Sequence, residues 1–409
     1  MKARYQYRVY PHPGQQTKLA RLFGCCRVVW NDALALCKQA EKLPKNSALQ
    51  KRCITEAKQR LERAWLADVS NIPLQQSVAD LGVAFSNFFS SLKGKRKGKR
   101  VNPPRFKKRT GNQSARFTRG GFSLKGSKVY LAKIGKLPIE WSRPLPSTPS
   151  SVTVIKDTSG RYFVSFVCEV EPQTLEGGDK SVGVDLGVTT FATLSTGEKI
   201  DAPKPLKKRL KRLRKLQRNL SRKVKGSRRR ERARKRVAKL HARIRDTRTD
   251  FLHKLTTRLI RENQAVLVED LNVSGMVKNR KLSRAISDLG WRQFRALLEG
   301  KGIRYGRVVG VVNRWEPTSQ VCSCCGERGG KLDLSIREWQ CLRCGATHDR
   351  DINAAINIAS RRASANKVAG GQSETLNGRG GRHKTGLPAA SGEASTCRDG
   401  QQEQLLLFS

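Results

Sequence analysis

With 409 residues the chain is too long for one ordinary domain, and a 37% apolar share is enough for real cores although below the usual globular figure. Lys and Arg number 83 against 33 Asp and Glu, a formal net charge of +50, so the compact chain repels itself and a polyanionic partner, nucleic acid, is implied. No run approaches the ~20 apolar residues that span a bilayer, the opening Met1–Arg8 lacks a signal-peptide core, and 11 unevenly spaced cysteines do not make a secreted disulfide scaffold, so no membrane partner is expected and the expected location is the cytoplasm.

Residues 4–10 alternate, with Tyr5, Tyr7 and Val9 on one side, and predict a short strand closed by Pro11 and Pro13. Leu19, Leu22, Phe23, Cys26, Trp30, Ala33, Leu34 and Cys37 follow helical spacing. A second helix is predicted on Leu49, Cys53, Ala57, Leu61 and Trp65, and a third from Pro73 through Leu92. Residues 93–109 carry ten Lys or Arg and no acid, the composition of a phosphate-binding loop. From Phe117 the pattern is β, clearest in the hairpin Val152–Ile155, turn Asp157–Gly160, Tyr162–Val170. The N-terminal strand is expected to join this sheet, leaving the helices as an insertion.

After a polar linker at Glu171–Lys180, apolar strands are predicted at Val182–Leu186, Phe191–Leu194, Val266–Val268 and Val308–Val312. Residues 204–248 hold 23 Lys or Arg and two acids, yet Leu206, Leu210, Leu213, Leu216 and Leu220, then Val237, Leu240 and Ile244, keep a helical stripe on either side of Gly226-Ser227. This predicts an antiparallel helical hairpin with one apolar seam and cationic outer faces. Residues 362–409, rich in Gly, Ser and Ala, are expected to be disordered.

Cys322-x-x-Cys325-Gly and Cys341-x-x-Cys344-Gly, separated by 15 residues, have the spacing that places four thiolates around one tetrahedral Zn²⁺. Such a closed shell is structural, not catalytic. Cys324 is an extra thiol, but only Cys322 with Cys325 gives the two-residue gap. Acids among apolar residues in so basic a chain are the second signal: Asp185 after Val182-Gly-Val, Glu269 and Asp270 after Ala265-Val-Leu-Val, and Asp349 and Asp351 after the second cysteine pair. Converging, three carboxylates could hold two Mg²⁺ ions for in-line phosphoryl displacement. Asp349 is equally a candidate helix N-cap. Alternation puts Glu269 and Asp270 on opposite faces and does not choose between them.

Taken together, Gly183-Val-Asp-Leu-Gly187, Val268-Glu-Asp-Leu271, Thr318-Ser-Gln-Val-Cys-Ser-Cys-Cys-Gly326, Cys341-Leu-Arg-Cys-Gly345 and His348-Asp-Arg-Asp-Ile-Asn-Ala-Ala-Ile-Asn357 resemble the TnpB/OrfB family of transposon-encoded proteins. Pro104-Arg-Phe-Lys-Lys-Arg109 and Tyr10-Pro-His-Pro-Gly-Gln-Gln16 also match, so the resemblance runs from about residue 5 to 360. It implies an α/β fold with added β and α parts: a RuvC-like RNase H domain at 180–315 and 346–361, interrupted by a zinc ribbon at 316–345. It further implies a β-barrel-like wedge domain from 1–10 and 110–175, with a helical recognition domain, 11–109, inserted in it. The resemblance puts the catalytic, Mg²⁺-binding acids at Asp185, Glu269 and Asp351, and nucleic-acid contacts at Gln75, Arg105, Lys107, Lys108, Arg109, Thr118 and Arg119. The implied function is RNA-guided DNA cutting beside a short flanking motif, by a protein monomeric with its guide RNA and associated with the bacterial nucleoid. A guide–target duplex of about 20 base pairs brings about 40 phosphates, on the scale of the excess charge. A strand-transferring transposase and a non-cutting, RNA-guided DNA-binding regulator are the alternatives.

Overall fold

The computed structural model describes residues 1–361, apart from 97, 99, 331, 332 and 334, together with two short strands farther on. These are β15 and β16 below; the rest of the expected disordered segment 362–409 lies outside the described residues. The described residues up to 361 divide into two compact units, 1–170 and 171–361.

In the first unit β1 (Lys2–Val9) leads through a proline turn into α1 (Pro13–Gln39). His12 caps α1 by accepting from the Gln15 amide, and the Gln15 side chain accepts from the His12 amide in return, so two otherwise orphaned donors are satisfied. Next come α2 (Asn46–Gln50), a π turn at Lys51–Thr55, α3 (Glu56–Gln59), a 3₁₀ stretch at Leu61–Asp68 and α4 (Asn71–Leu92). The predicted second helix is therefore broken at Arg60, whose backbone is extended (φ −81°, ψ 132°). Rewinding beyond the break puts Leu66 in the core and leaves Leu61 94% exposed, which a continuous stripe through Leu61 and Trp65 would not do.

Six further strands follow: β2 (Gln113–Thr118), β3 (Phe122–Lys125), β4 (Lys128–Leu131), β5 (Gly135–Glu140), β6 (Ser151–Lys156) and β7 (Tyr162–Glu169). They form one antiparallel sheet in the order β2-β6-β7-β1-β5-β4-β3. The N-terminal strand does join it, paired with β7 from Lys2↔Glu169 to Val9↔Tyr162 and with β5 through Arg8 and Val9. Alternation sends Tyr5, Tyr7 and Val9 into a core shared by sheet and helices, which also holds Leu22, Phe85 and Phe166.

The second unit is built on β8 (Ser181–Asp185), β9 (Ala192–Leu194) and β10 (Lys199–Ile200), then α5 (Pro205–Ser221), α6 (Arg228–Glu262) and β11 (Ala265–Glu269). After these come α7 (Val273–Met276), α8 (Ser283–Leu289), α9 (Trp291–Tyr305), β12 (Val308–Val312), the small ladder β13 (Glu338–Gln340) with β14 (Thr347–Asp349), and α10 (Arg350–Ser360). Beyond the units' described core, β15 (Glu374–Leu376) pairs with β16 (Arg382–Lys384). The main sheet runs β10-β9-β8-β11-β12, with β8, β11 and β12 parallel and β9 paired antiparallel with both β8 and β10. Strands this apolar need cover, which α6 and α9 supply: Phe191 meets Phe251 and Phe294 edge-on at 5.2 and 5.3 Å. The α5–α6 hairpin closes on Leu213, Leu240 and Ile244, flanked by Leu206, Leu216 and Val237, a thin seam under cationic faces.

Candidate active site and metal centre

Parallel pairing fixes the first two acids. Val184 lies beside Val268, so Asp185 and Glu269, one residue on, end adjacent strands at the same edge of the sheet. The third arrives on α10, which lies directly against β8. A Cβ at Gly183 would fall inside the Ala355 carbonyl and 2.5 Å from the Ala359 nitrogen, so only glycine lets the helix approach this closely. Asp349 caps α10: its Oδ1 accepts from the amides of Asp351 and Ile352 at 3.0 Å each, while its Oδ2 accepts from Lys199 at 2.6 Å. Asp351, in the first turn, has Arg337 Nη1 3.3 Å from its Oδ1, and its charge is felt at Asp185.

The electrostatics agree with this convergence. Burial first, then the carboxylates of Glu269 and Asp351, push the Asp185 carboxyl up to about 7 against the partial relief of the Leu186 amide and Arg350. Glu269 is also raised, by burial and by Asp270. Asp270 behaves oppositely. Burial alone would raise it, but Arg314 and Arg295, the latter at 2.6 Å, hold it below the ordinary carboxylate range. The two neighbours that alternation could not separate are thereby distinguished: Asp270 is neutralised by arginines, whereas Glu269 forms no ion pair among the described residues. In a chain with 83 Lys and Arg, nothing in the sequence marks Arg295 and Arg314 for that role.

The four sulfurs of Cys322, Cys325, Cys341 and Cys344 all lie within 4.8 Å of one another. The Cys322–Cys344 and Cys325–Cys341 separations are 3.7 and 3.6 Å, close to the ~3.8 Å edge of a tetrahedron with Zn–S bonds of ~2.3 Å. Gly326 (φ +76°) and Gly345 (φ +70°) take the left-handed turn after each pair. The amides of Cys344 and Arg343 pull the Cys341 thiol down to about 7, whereas Cys344, against the Ala346 amide, is raised by burial and the neighbouring sulfurs, so the four sulfurs do not all favour the thiolate without a cation. The donor set fits a Zn²⁺ ion. Cys324 is exposed and outside this tetrad, although with Cys322 and His348 it makes a second close group. Sequence reasoning passed over His348, a buried ring whose Nε2 is 3.0 Å from Cys322 Sγ; a histidine just after a cysteine pair was the available signal.

The expected nucleic-acid residues lie in the first unit. Gln75 is exposed near the start of α4, beside Lys58 and Asn71 in a recess of about 180 Å³. A Cβ at Gly121 would lie only 2.9 Å from Ile72 Cδ1, so the turn carrying Thr118 and exposed Arg119 comes close to that helix start. In the basic loop Arg105, Lys108 and Arg109 are exposed. Lys107 instead turns inward, its ammonium 3.3 Å from the Trp30 ring centre, while Trp30 and Asn31 bond the Arg105 and Lys107 carbonyls.

Comparison with solved structures defines the class of fold. A Cas12f1 chain, solved in a Cas12f1–sgRNA–target DNA complex, superposes with a TM-score of 0.54 at 12% identity, covering 88% of this chain and 99% of that one. Family models match in sequence as well: "Probable transposase" (OrfB of IS605) over residues 165–280, "Cas12f1-like, TNB domain" over 291–358, and "Helix-turn-helix domain" over 1–43. Despite that last description, residues 1–43 fold as β1 and the single long helix α1. A Streptomyces pristinaespiralis protein named "Putative RNA-guided DNA endonuclease" is 45% identical over 91% of this chain and 92% of its own length. InsQ of Escherichia coli K12, given the same description, is 33% identical over 87% and 90%. The chain belongs to the OrfB/TnpB family. No helix among the described residues is long and apolar enough to cross a membrane.

Proposed function

We propose that this protein is an RNA-guided DNA endonuclease that holds a guide RNA, pairs it with double-stranded target DNA beside a short flanking motif, and hydrolyses phosphodiester bonds at Asp185, Glu269 and Asp351. The observation that carries the reading is that Asp185 and Glu269 end adjacent parallel strands while α10, which bears Asp351, lies against β8; the Asp185 carboxyl, pushed up to about 7 first by burial, is raised further by the charges of Glu269 and Asp351. Relatives that span nearly the whole chain carry this activity in their names. The order β10-β9-β8-β11-β12, with its antiparallel outer pair, supports a RuvC-like RNase H domain at 180–315 and 346–361. The cysteine cluster supports a structural zinc ribbon at 316–345. Residues 1–10 and 110–175 are assigned as the wedge domain, and 11–109 as the recognition insertion.

Asp185, Glu269 and Asp351 would hold two Mg²⁺ ions, which when bound supply Lewis acidity and the charge that stabilises an in-line displacement at phosphorus. The chain's part is positional and electrostatic. A carboxyl that burial, and then two neighbouring carboxylates, push up to about 7 belongs to a site whose charge is completed by a cation. Arg295 and Arg314 keep Asp270 out of that competition, and Lys199 occupies Asp349 in the same way. Exposed Arg105, Lys108, Arg109 and Arg119, with Gln75, Thr118 and the stem of Lys107, are assigned to nucleic-acid contacts, phosphate binding for the cations. Cleavage by such a site leaves 3′-hydroxyl and 5′-phosphate ends, and the bound protein belongs at the bacterial nucleoid.

The test is to purify the protein with its RNA, sequence that RNA, and offer duplex DNA matching its variable end in Mg²⁺. Cutting confined to the matched duplex is expected. Random RNA fragments and no matched cutting would remove the guide reading, while RNA-independent joining of DNA ends would indicate strand transfer.

A further inference from the structure

Helix α10 carries two stripes with different duties. Asp351, Ala355 and Ala359 recur every four residues and form the stripe against β8, where Gly183 accepts the helix backbone. Asn353 and Asn357 form another, turned about 200° and about 240° from Asp351. Asparagine is a poor residue for a helix interior, yet these two are only 1% and 6% exposed. Both are satisfied by the backbone that enters the first cysteine pair. Asn353 Nδ2 donates to the Val321 carbonyl at 2.8 Å and its Oδ1 accepts from the Ser323 amide at 2.9 Å, so one side chain bonds both neighbours of Cys322. Asn357 Nδ2 donates to the Thr318 and Val321 carbonyls at 2.8 and 2.6 Å. His348, just before the helix, adds a contact from Nε2 to Cys322 Sγ at 3.0 Å.

We infer that Asn353 and Asn357 are positioning residues that clamp the Cys322 segment to the helix bearing Asp351, so that filling of the cysteine site and divalent-cation binding at the carboxylates are energetically coupled. The inference rests on the proposed carboxylate site and extends it. The physical reason is the length of the linkage. Only Ile352 separates Asp351 from Asn353, and one side chain links Asn353 to the peptide groups on both sides of a cysteine ligand. Displacement of that knuckle strand is resisted by five hydrogen-bond or sulfur contacts, all ending on residues 348–357. A buried amide that loses its partner carries a large penalty, so the linkage moves as a unit. The reciprocity of linkage then requires each metal to strengthen the other's site.

The test uses the full chain with its RNA and two readouts that do not depend on cutting: release of Zn²⁺ to a colorimetric chelator, and Mn²⁺ binding followed by electron paramagnetic resonance. Asn353→Ala and Asn357→Ala are expected to release Zn²⁺ about tenfold faster and bind Mn²⁺ about tenfold more weakly, the usual scale for residues that orient metal ligands. In cleavage, the Mg²⁺ midpoint rises while the rate at saturating Mg²⁺ largely recovers. Leu22→Ala, a cavity in the core of the first unit, lowers the melting temperature without moving either metal readout. Cys344→Ser weakens Mn²⁺ binding in the wild-type background and has little further effect in the Asn353→Ala background. Should the alanine variants not fold, Asn353→Asp, which turns one donor into an acceptor and keeps the other bond, is read the same way. Folded clamp variants with unchanged Zn²⁺ release and Mn²⁺ affinity, or fully additive effects of Cys344→Ser, overturn the inference. Wild-type protein that binds no Mn²⁺ overturns the carboxylate site itself and the coupling with it.

Discussion

Removing the central carboxylate should make the metal-free protein more stable while destroying its activity. The Asp185 carboxyl, ordinarily at 3.8, is pushed up to about 7 in the fold. At ~1.36 kcal/mol per pKa unit, its ionised form costs the folded chain about 4 kcal/mol, and residual solvent access at the strand end reduces this to about 2–4 kcal/mol. The sign follows from proton binding: the folded state holds the proton more tightly than the unfolded one, so the cost is absent below pH 4, grows as pH rises from 4 to 7, and is complete above 7. Asp185→Asn keeps the shape and removes the charge. Its second unit should melt roughly 5–10 °C above wild type at pH 8, and less than half as far above it at pH 5. The assay is calorimetry in buffer free of divalent cations and of chelators strong enough to strip zinc. Mg²⁺ at pH 8 should raise the wild-type midpoint more than that of the variant. An Asp185→Asn protein that melts with wild type at both pH values, or below it at pH 8, refutes the argument from burial and crowding.

Gly183→Ala places a methyl inside the Ala355 carbonyl, so α10 must withdraw from β8. A loss of about 1–3 kcal/mol in denaturant unfolding, with cutting reduced far more than RNA binding, is expected; a variant that cuts normally would contradict the close approach. Glu269→Gln should abolish cutting with little loss of stability. Asp270→Asn, which leaves Arg295 and Arg314 without their anion, should lower the melting temperature and retain measurable cutting; the opposite pattern would exchange their roles. Because binding of RNA stabilises only the folded chain, RNA should raise the melting temperature at low salt and the gain should shrink as salt is raised. A melting temperature indifferent to RNA would assign the +50 charge another use.

The sequence disclosed most where chemistry demands a fixed spacing. Two cysteine pairs with following glycines need no tertiary information, and the four sulfurs lie together as that spacing requires. The leucine seam of α5 and α6 was readable through a field of charge because only one stripe of each helix is apolar. The break at Arg60 was hidden, since no Gly or Pro marks it and the choice of Leu66 over Trp65 is made by the core. Likewise, alternation placed Glu269 and Asp270 on opposite faces but could not say which face Arg295 and Arg314 occupy; they arrive from other elements. The asparagines of α10 were visible as letters of a motif, but their partners, the Thr318–Ser323 backbone, carry no signal that links the two segments.

The central claim, that three acids from three elements form one cutting site, is tested most directly by cleavage of matched duplex DNA in Mg²⁺ with alanine placed singly at Asp185, Glu269 and Asp351, RNA content being measured alongside. Loss of cutting from every variant with guide RNA still bound is the predicted result. Cutting that survives any one of the three substitutions would contradict it.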